Sequence, residues 1–169
     1  MQTSSLMKLS TCLVLLAFWV VAATAFADGA AESEIVDIEI PTLDGAIKTA
    51  DLRGQVVYID FWASWCVPCR QSFPWLNSML EKYQDQGLTI IGINVDKDAT
   101  FAAEFLAETP AKFPIAYDPK ATLAELFELT AMPSAFIVSR EGELVDAHYG
   151  FKASKTDKYE ASIVKALAN

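Results

Sequence analysis

The chain has 169 residues, 53% of them hydrophobic, with 13 Lys+Arg against 22 Asp+Glu for a net charge of −9. Such a chain suits one globular domain, and its acidity excludes nucleic acid and anionic lipid surfaces as partners, since phosphate would be repelled and no Lys/Arg run offsets the deficit. Three cysteines are too few for a disulfide scaffold, so their spacing carries the information.

Between Lys8 and Asp28 lie nineteen uncharged residues, including the run Leu13 to Val21, and the stretch closes on Ala25-Phe26-Ala27. A positive start, an apolar middle and small residues at the end predict a signal peptide over residues 1–27, cleaved after Ala27. The length is also near the roughly 20 residues that span a bilayer, so an uncleaved N-terminal membrane anchor is the alternative. Either way the domain is expected in the periplasm or on the extracytoplasmic face. Leu9-Ser10-Thr11-Cys12 has the look of a lipobox but precedes the apolar core instead of following it, so Cys12 is expected to leave with the signal. Only Cys66 and Cys69 then remain.

Residues 28–34 are small and acidic and predict a flexible start, and residues 35–169 predict one domain without repeats or linkers. Ile35 to Ile40 alternates apolar and acidic, and Leu43-Asp44-Gly45 turns the chain into a second short strand, which together make an N-terminal hairpin. Gln55 to Phe61 and Leu88 to Val95 are near-continuous β-branched and aromatic runs, the pattern of central strands covered on both faces. Between them Phe73, Leu76, Leu80 and Tyr83 form a helical stripe that Gly87 ends, so a βαβ unit is expected.

A second helix is predicted around Phe101, Phe105 and Leu106, and a third from an Asp118 N-cap with Pro119 at the first helical position, leading to Leu123, Leu126 and Phe127. Ala135 to Val138, the Glu141-Gly142 turn and Leu144 to His148 predict a hairpin. Ser154-Lys155-Thr156-Asp157 reads as a capping box before a last helix carrying Tyr159, Ile163 and Leu167. The sum is an α/β fold with a mixed sheet flanked by helices.

The chemistry is expected at Trp65-Cys66-Val67-Pro68-Cys69-Arg70. Cys66 falls where the first central strand gives way to the helix, and the unpaired N–H groups of a helix N-terminus stabilise a thiolate. Cys69 lies one turn further on, at a Cα separation of about 5 Å that a disulfide accepts. Pro68 stiffens the link between them and removes a donor with no partner in a first turn. A half zinc site would need two more ligands, with His148 the one histidine in the chain. A structural staple closing so short a loop would constrain the unfolded chain very little, and two unrelated core thiols are the third alternative. Redox activity is the reading those alternatives leave in front.

Val56 to Trp75, VVYIDFWASWCVPCRQSFPW, resembles the active-site strand and helix of thioredoxin-fold proteins, specifically the exported TlpA/ResA-like thiol:disulfide reductases. The likeness continues through Asp51-Leu52-Arg53-Gly54, Leu126 to Ser134, the Glu141-Gly142 turn and Gly150, and spans nearly all of residues 35 to 168. It implies a thioredoxin-like fold with an added N-terminal hairpin, Cys66 as exposed nucleophile, Cys69 as resolving thiol, and Pro133 in a cis bond. The backbone of Met132 would then face Cys66, and Trp65, Pro68, Met132 and Pro133 would form the substrate-binding patch. Trp62 either joins Trp65 in framing the sulfur or packs in the core.

Asp60 is the candidate base for Cys69: its strand is apolar, which would raise a carboxyl pKa, and thioredoxins carry aspartate at the matching position. The competing reading is a carboxylate satisfied by local hydrogen bonds. Where ResA-like proteins often carry a glutamate three residues after the second cysteine, this chain has Ser72, whose hydroxyl does not titrate near neutral pH.

The resemblance further implies protein disulfide substrates, with apocytochrome c or metallochaperone thiols as clients in the manner of cytochrome c maturation. It also implies a membrane thiol transporter as electron donor; no cofactor or metal is expected, and a monomer is. Oxidase or isomerase activity on the same fold, and a copper- or thiol-binding chaperone, are the alternatives. A peroxiredoxin would need Thr/Ser-x-x-Cys in place of Trp65 to Cys69. His148 reads as an ordinary strand-end residue, and Glu104, Glu108, Glu125 and Glu128 as solvated helix faces.

Overall fold

The computed structural model describes residues 38–42 and 45–169. The signal segment, residues 28–34, the expected start of the first strand at residues 35–37 and the tip of the N-terminal hairpin lie outside the described residues.

All seven residues of β3 (Val56–Trp62) are buried, as a continuous β-branched and aromatic run requires. It sits beside β4 (Leu88–Asn94), parallel, and β6 (Ser134–Val138), antiparallel. β1 (Glu39–Thr42) and β2 (Gly45–Lys48) form the expected N-terminal hairpin, and β5 (Ile115–Tyr117) and β7 (Leu144–Tyr149) complete a seven-stranded mixed sheet in the order β2-β1-β5-β4-β3-β6-β7.

The sheet separates two cores. Alternate β3 residues Val57, Ile59 and Phe61 pack with Ile91, Ile93, Phe136 and Leu123 on one face. Tyr58 and Trp62 pack on the other with Phe73 and Leu76 of α1 (Val67–Tyr83), Phe105 of α2 (Ala99–Glu108) and Ile163 of α4 (Thr156–Leu167). Each fully buried Ile or Phe contributes ~1.5–3 kcal/mol of transfer free energy. Asp60 lies between Tyr58 and Trp62 in sequence and so points to the face that α1 covers. Gly92, its neighbour on β4, leaves room there for Phe113: a Cβ would stand 2.9 Å from the Phe113 ring and 3.2 Å from Trp62 Nε1.

Three helix details differ from the sequence expectation. In α2 the buried face is Ala102 and Phe105, and Phe101 is exposed. α3 (Thr122–Leu126) starts later than Asp118-Pro119 suggests, because residues 118–121 first close a turn through Ala121 N–H to the Asp118 carbonyl. Asp118 still caps the helix from outside, its two carboxylate oxygens accepting from the N–H groups of Thr122 and Ala124, each at 2.8 Å. Leu126, expected on the apolar stripe, is exposed. Ser154 does not cap α4, since Ala153–Lys155 forms a 3-10 turn and the N-cap position falls on Lys155, which makes no side-chain cap bond.

Candidate active site

Cys66 is the N-cap of α1, with Pro68 at the second helical position as expected. Its Sγ takes the place an N-cap oxygen usually fills, accepting from Cys69 N–H at 3.2 Å. A thiolate at Cys66 would accept the same bond with a full charge and face the positive end of the helix. The two sulfurs are joined, with the Cα atoms 5.3 Å apart. Val67 between them is aliphatic and adds no charge. Arg70 is drawn away to Glu108, at 2.8 Å, and its guanidinium lies over the Phe105 ring at 4.8 Å.

Exposure divides the patch that the resemblance implies. Trp65 is 66% exposed, Pro68 and Met132 are half-buried, and Pro133 is buried. Val67, absent from the sequence-based patch, is 68% exposed and belongs to the apolar surface beside the disulfide. Cys66 itself is 3% exposed, against the expectation of an exposed nucleophile. Bonded to Cys69, it is part of the core that holds Trp62 and Ala63. Trp62 is fully buried against Phe73 and Phe105, with ring centroids 5.0 and 4.6 Å away, which settles its role as packing.

Asp96 holds the loop that leads into the dithiol, and sequence reasoning missed it. This buried carboxylate accepts from Ser64 N–H at 2.8 Å, from Ser64 Oγ at 2.9 Å and from Asn94 Nδ2 at 2.8 Å, while Asn94 Oδ1 accepts from Asp96 N–H at 3.1 Å. Val95 N–H, donating to the Trp62 carbonyl at 3.0 Å, extends the β3–β4 pairing to the same point. The strand ends thus clamp Ala63-Ser64-Trp65 before Cys66 begins the helix. Asp96→Ala strands the half-buried donors of Ser64 and the buried amide of Asn94. It is expected to lower the unfolding free energy by about 2–4 kcal/mol, read from urea denaturation.

Behind the dithiol, Ser72 is buried and its Oγ donates to the Cys69 carbonyl at 3.1 Å, a local helix bond rather than a titrating contact. Met132-Pro133 is cis, as the resemblance implies, and Pro133 O accepts from Gly150 N–H at 2.7 Å. Asp60 is 2% exposed, and its Oδ2 has no hydrogen-bond partner among the described residues. Loss of water holds its carboxyl well above the usual carboxylate range. The competing reading of a locally satisfied carboxylate therefore fails at Oδ2. Asp60 and Pro133 line one small cavity, which also takes in Tyr58, Tyr159 and His148. His148, near the end of β7, is buried, and its Nε2 makes no hydrogen bond among the described residues, with Asp146 Oδ2 3.9 Å away.

Residues 31–147 match the AhpC/TSA family. The chain belongs to that family. Within its AhpC/TSA fold the residue three places before Cys66 is Ala63, and the one before Cys69 is Cys66 itself, so the Thr/Ser-x-x-Cys of a peroxidatic site is not formed at this dithiol. The chain is similar to the thiol-disulfide oxidoreductase ResA of Bacillus cereus (28% identity over 118 residues, 69% of this chain and 68% of that one). It is also similar to ResA of Bacillus subtilis (27% over 99 residues, 59% and 55%). Among solved structures it resembles a candidate thiol:disulfide interchange protein DsbE from Chlorobium tepidum, at 42% identity and a TM-score of 0.75, covering 78% of this chain and 93% of that one. This AhpC/TSA protein has the thioredoxin-like fold and is a thiol:disulfide oxidoreductase with Cys66 and Cys69 at disulfide distance.

Proposed function

We propose that the protein is an exported reductase of protein disulfides. Cys66 thiolate attacks a substrate disulfide, forming a mixed disulfide and releasing the first substrate sulfur as a thiolate that takes a proton from solvent. Cys69, losing its proton to Asp60, then attacks Cys66 Sγ. The second substrate sulfur leaves, two electrons have passed to the substrate, and Cys66–Cys69 is a disulfide. Asp60 is suited to that proton because burial raises its pKa towards the range of a useful base.

The observation that carries the direction is the sparse stabilisation of Cys66. Strong oxidants of this chemistry owe their potential to a stabilised reduced form. Here the sulfur has the Cys69 N–H and the helix terminus, an aliphatic Val67 in place of a charged neighbour, and an Arg70 engaged elsewhere. A weakly stabilised thiolate favours the disulfide and so gives electrons away. The uncharged segment ending at Ala27 supports export, and an exported reductase needs recharging, by a membrane thiol transporter. Apocytochrome c and metallochaperone thiols fit as clients because both must stay reduced outside the cytoplasm, and Trp65 and Val67 offer them an apolar landing surface. Equilibration of the Cys66–Cys69 pair against glutathione tests the direction. A potential well below the glutathione couple is expected, and one near the strongest oxidants would reverse the assignment to oxidase.

A further inference from the structure

Register brings two buried ionisable groups to one row of the sheet. Asp60 on β3 pairs with Ala135 on β6, and Ala135 pairs with His148 on β7. All three therefore project from the same face. Ala135 offers only a methyl group, so nothing bulky separates its neighbours. Two strand spacings put the Asp60 and His148 backbones roughly 10 Å apart, a span that the two side chains and one bridging water would fill. That space is the small cavity lined by both side chains. Asp60 Oδ2 and His148 Nε2 are two of the three buried side-chain polar atoms without a hydrogen-bond partner among the described residues. Orphans of this kind are uncommon in folded proteins, and two around one cavity call for an explanation.

We propose that His148 is the positioning residue of Asp60: through one bridging water its imidazole takes up the proton that Asp60 receives from Cys69 and passes it to solvent. The inference rests on the reading of Asp60 as the base for Cys69. The proton leaves Cys69 Sγ for the Asp60 carboxylate, then moves through the water to neutral His148, restoring the carboxylate and forming an imidazolium. The imidazolium lies beside Asp146, whose Oδ2 is 3.9 Å from Nε2 and whose side chain is 42% exposed, and there it gives the proton to bulk water. A route of this kind answers a difficulty of the site, because Asp60 is buried on the central strand with only 2% exposure to solvent.

The other groups facing the imidazole are Tyr58 from β3 and, from α4, Tyr159 and Lys158. The Tyr159 ring centroid lies 5.0 Å from that of His148. Burial lowers the His148 pKa, Asp146 acts to raise it and Lys158 to lower it further. Burial raises the pKa of Tyr58, as does the charge of Asp60, so this phenol stays neutral through the working range. His148 is thus uncharged near neutrality, and an imidazolium formed there is a short-lived carrier that gives its proton up readily.

Because the chain has one histidine, the imidazole resonances of the untagged protein report on His148 alone. Their titration in the oxidised protein, where neither cysteine ionises, is compared between wild type and Asp60→Asn. Coupling across the cavity is expected to add a second inflection to the imidazole shift, above the His148 midpoint where Asp60 ionises, that is absent from Asp60→Asn; a single, identical inflection in both proteins overturns the proposal. The second arm measures single-turnover resolution of the mixed disulfide against pH in His148→Gln and His148→Phe. About tenfold slower resolution with a displaced inflection is expected in both, and a wild-type profile in either folded variant also overturns it. Normal resolution in Asp60→Asn would instead sink the base assignment. Slow resolution in Asp60→Asn beside a wild-type profile in His148→Gln would sink the His148 role alone.

Discussion

Cys69→Ser is expected to stop turnover at the mixed disulfide, lowering the steady-state rate at least about 1,000-fold while leaving the first attack intact. The reason is positional. Cys66 keeps its N-cap place, and its sulfur keeps the Cys69 backbone N–H, which serine supplies equally well. The thiolate that begins the reaction is therefore undisturbed. What is lost is the only sulfur one helical turn away, at a Cα separation of 5.3 Å, able to displace the substrate from Cys66. A serine hydroxyl at that site is neither ionised near neutrality nor able to form the second disulfide. Non-reducing electrophoresis and intact mass after mixing with a disulfide-bonded protein should show a covalent adduct accumulating to one per chain. Cys66→Ser should show none, because Cys69 lies within the first turn of α1, behind the N-cap position, and is wholly buried. Adducts of similar yield in both variants would mean that the two cysteines have been assigned the wrong roles.

What the sequence disclosed and what it withheld follow from the range of the interactions. The Cys66-Val67-Pro68-Cys69 turn was legible because capping, helix phase and disulfide reach all operate within four residues. The central strands were legible because a sheet covered on both faces demands continuous burial, and Val56 to Trp62 has it throughout. Asp60 was legible as a charge in a run that admits no water. The clamp of Asp96 on Ser64 was not, since its partners are 32 residues apart and meet only when β3 and β4 align in parallel. His148 was hidden for the same reason. On its own strand it alternates with Asp146 like any hairpin residue, and only the β3–β6–β7 register turns it towards Asp60. The α3 cap failed differently: Asp118 was the right residue with the wrong reach, because an intervening turn moved the helix start to Thr122. Local chemistry could be read from the chain, and chemistry made by register could not.

Asp60→Asn should give a slower enzyme and a more stable protein at neutral pH. The amide is nearly isosteric but takes no proton from Cys69, so resolution is expected to slow about 100-fold near pH 7. As pH rises towards the thiol range, a larger share of Cys69 is thiolate without help from Asp60, and the deficit should narrow. The stability effect has a sign that burial fixes. Loss of water raises the folded pKa of Asp60 above its unfolded value, so between the two the native state holds a proton that the unfolded chain has released. Wild-type stability therefore falls as pH rises from the ordinary carboxylate range through the raised folded pKa, and the full penalty is present above it. Asparagine never carries that charge. Below about pH 4, where both states of the wild type are protonated, the variant should match it. At pH 7 and above the variant should be more stable by on the order of 1–3 kcal/mol, after allowance for an amide that is itself left partly unpaired at the Oδ2 position. Urea denaturation of the oxidised proteins across pH separates the two effects, since no thiol titrates there. A variant less stable than wild type at pH 7, or a stability difference that does not change with pH, would show that Asp60 is ionised and well solvated in the native state, and would remove the basis for its role as the base.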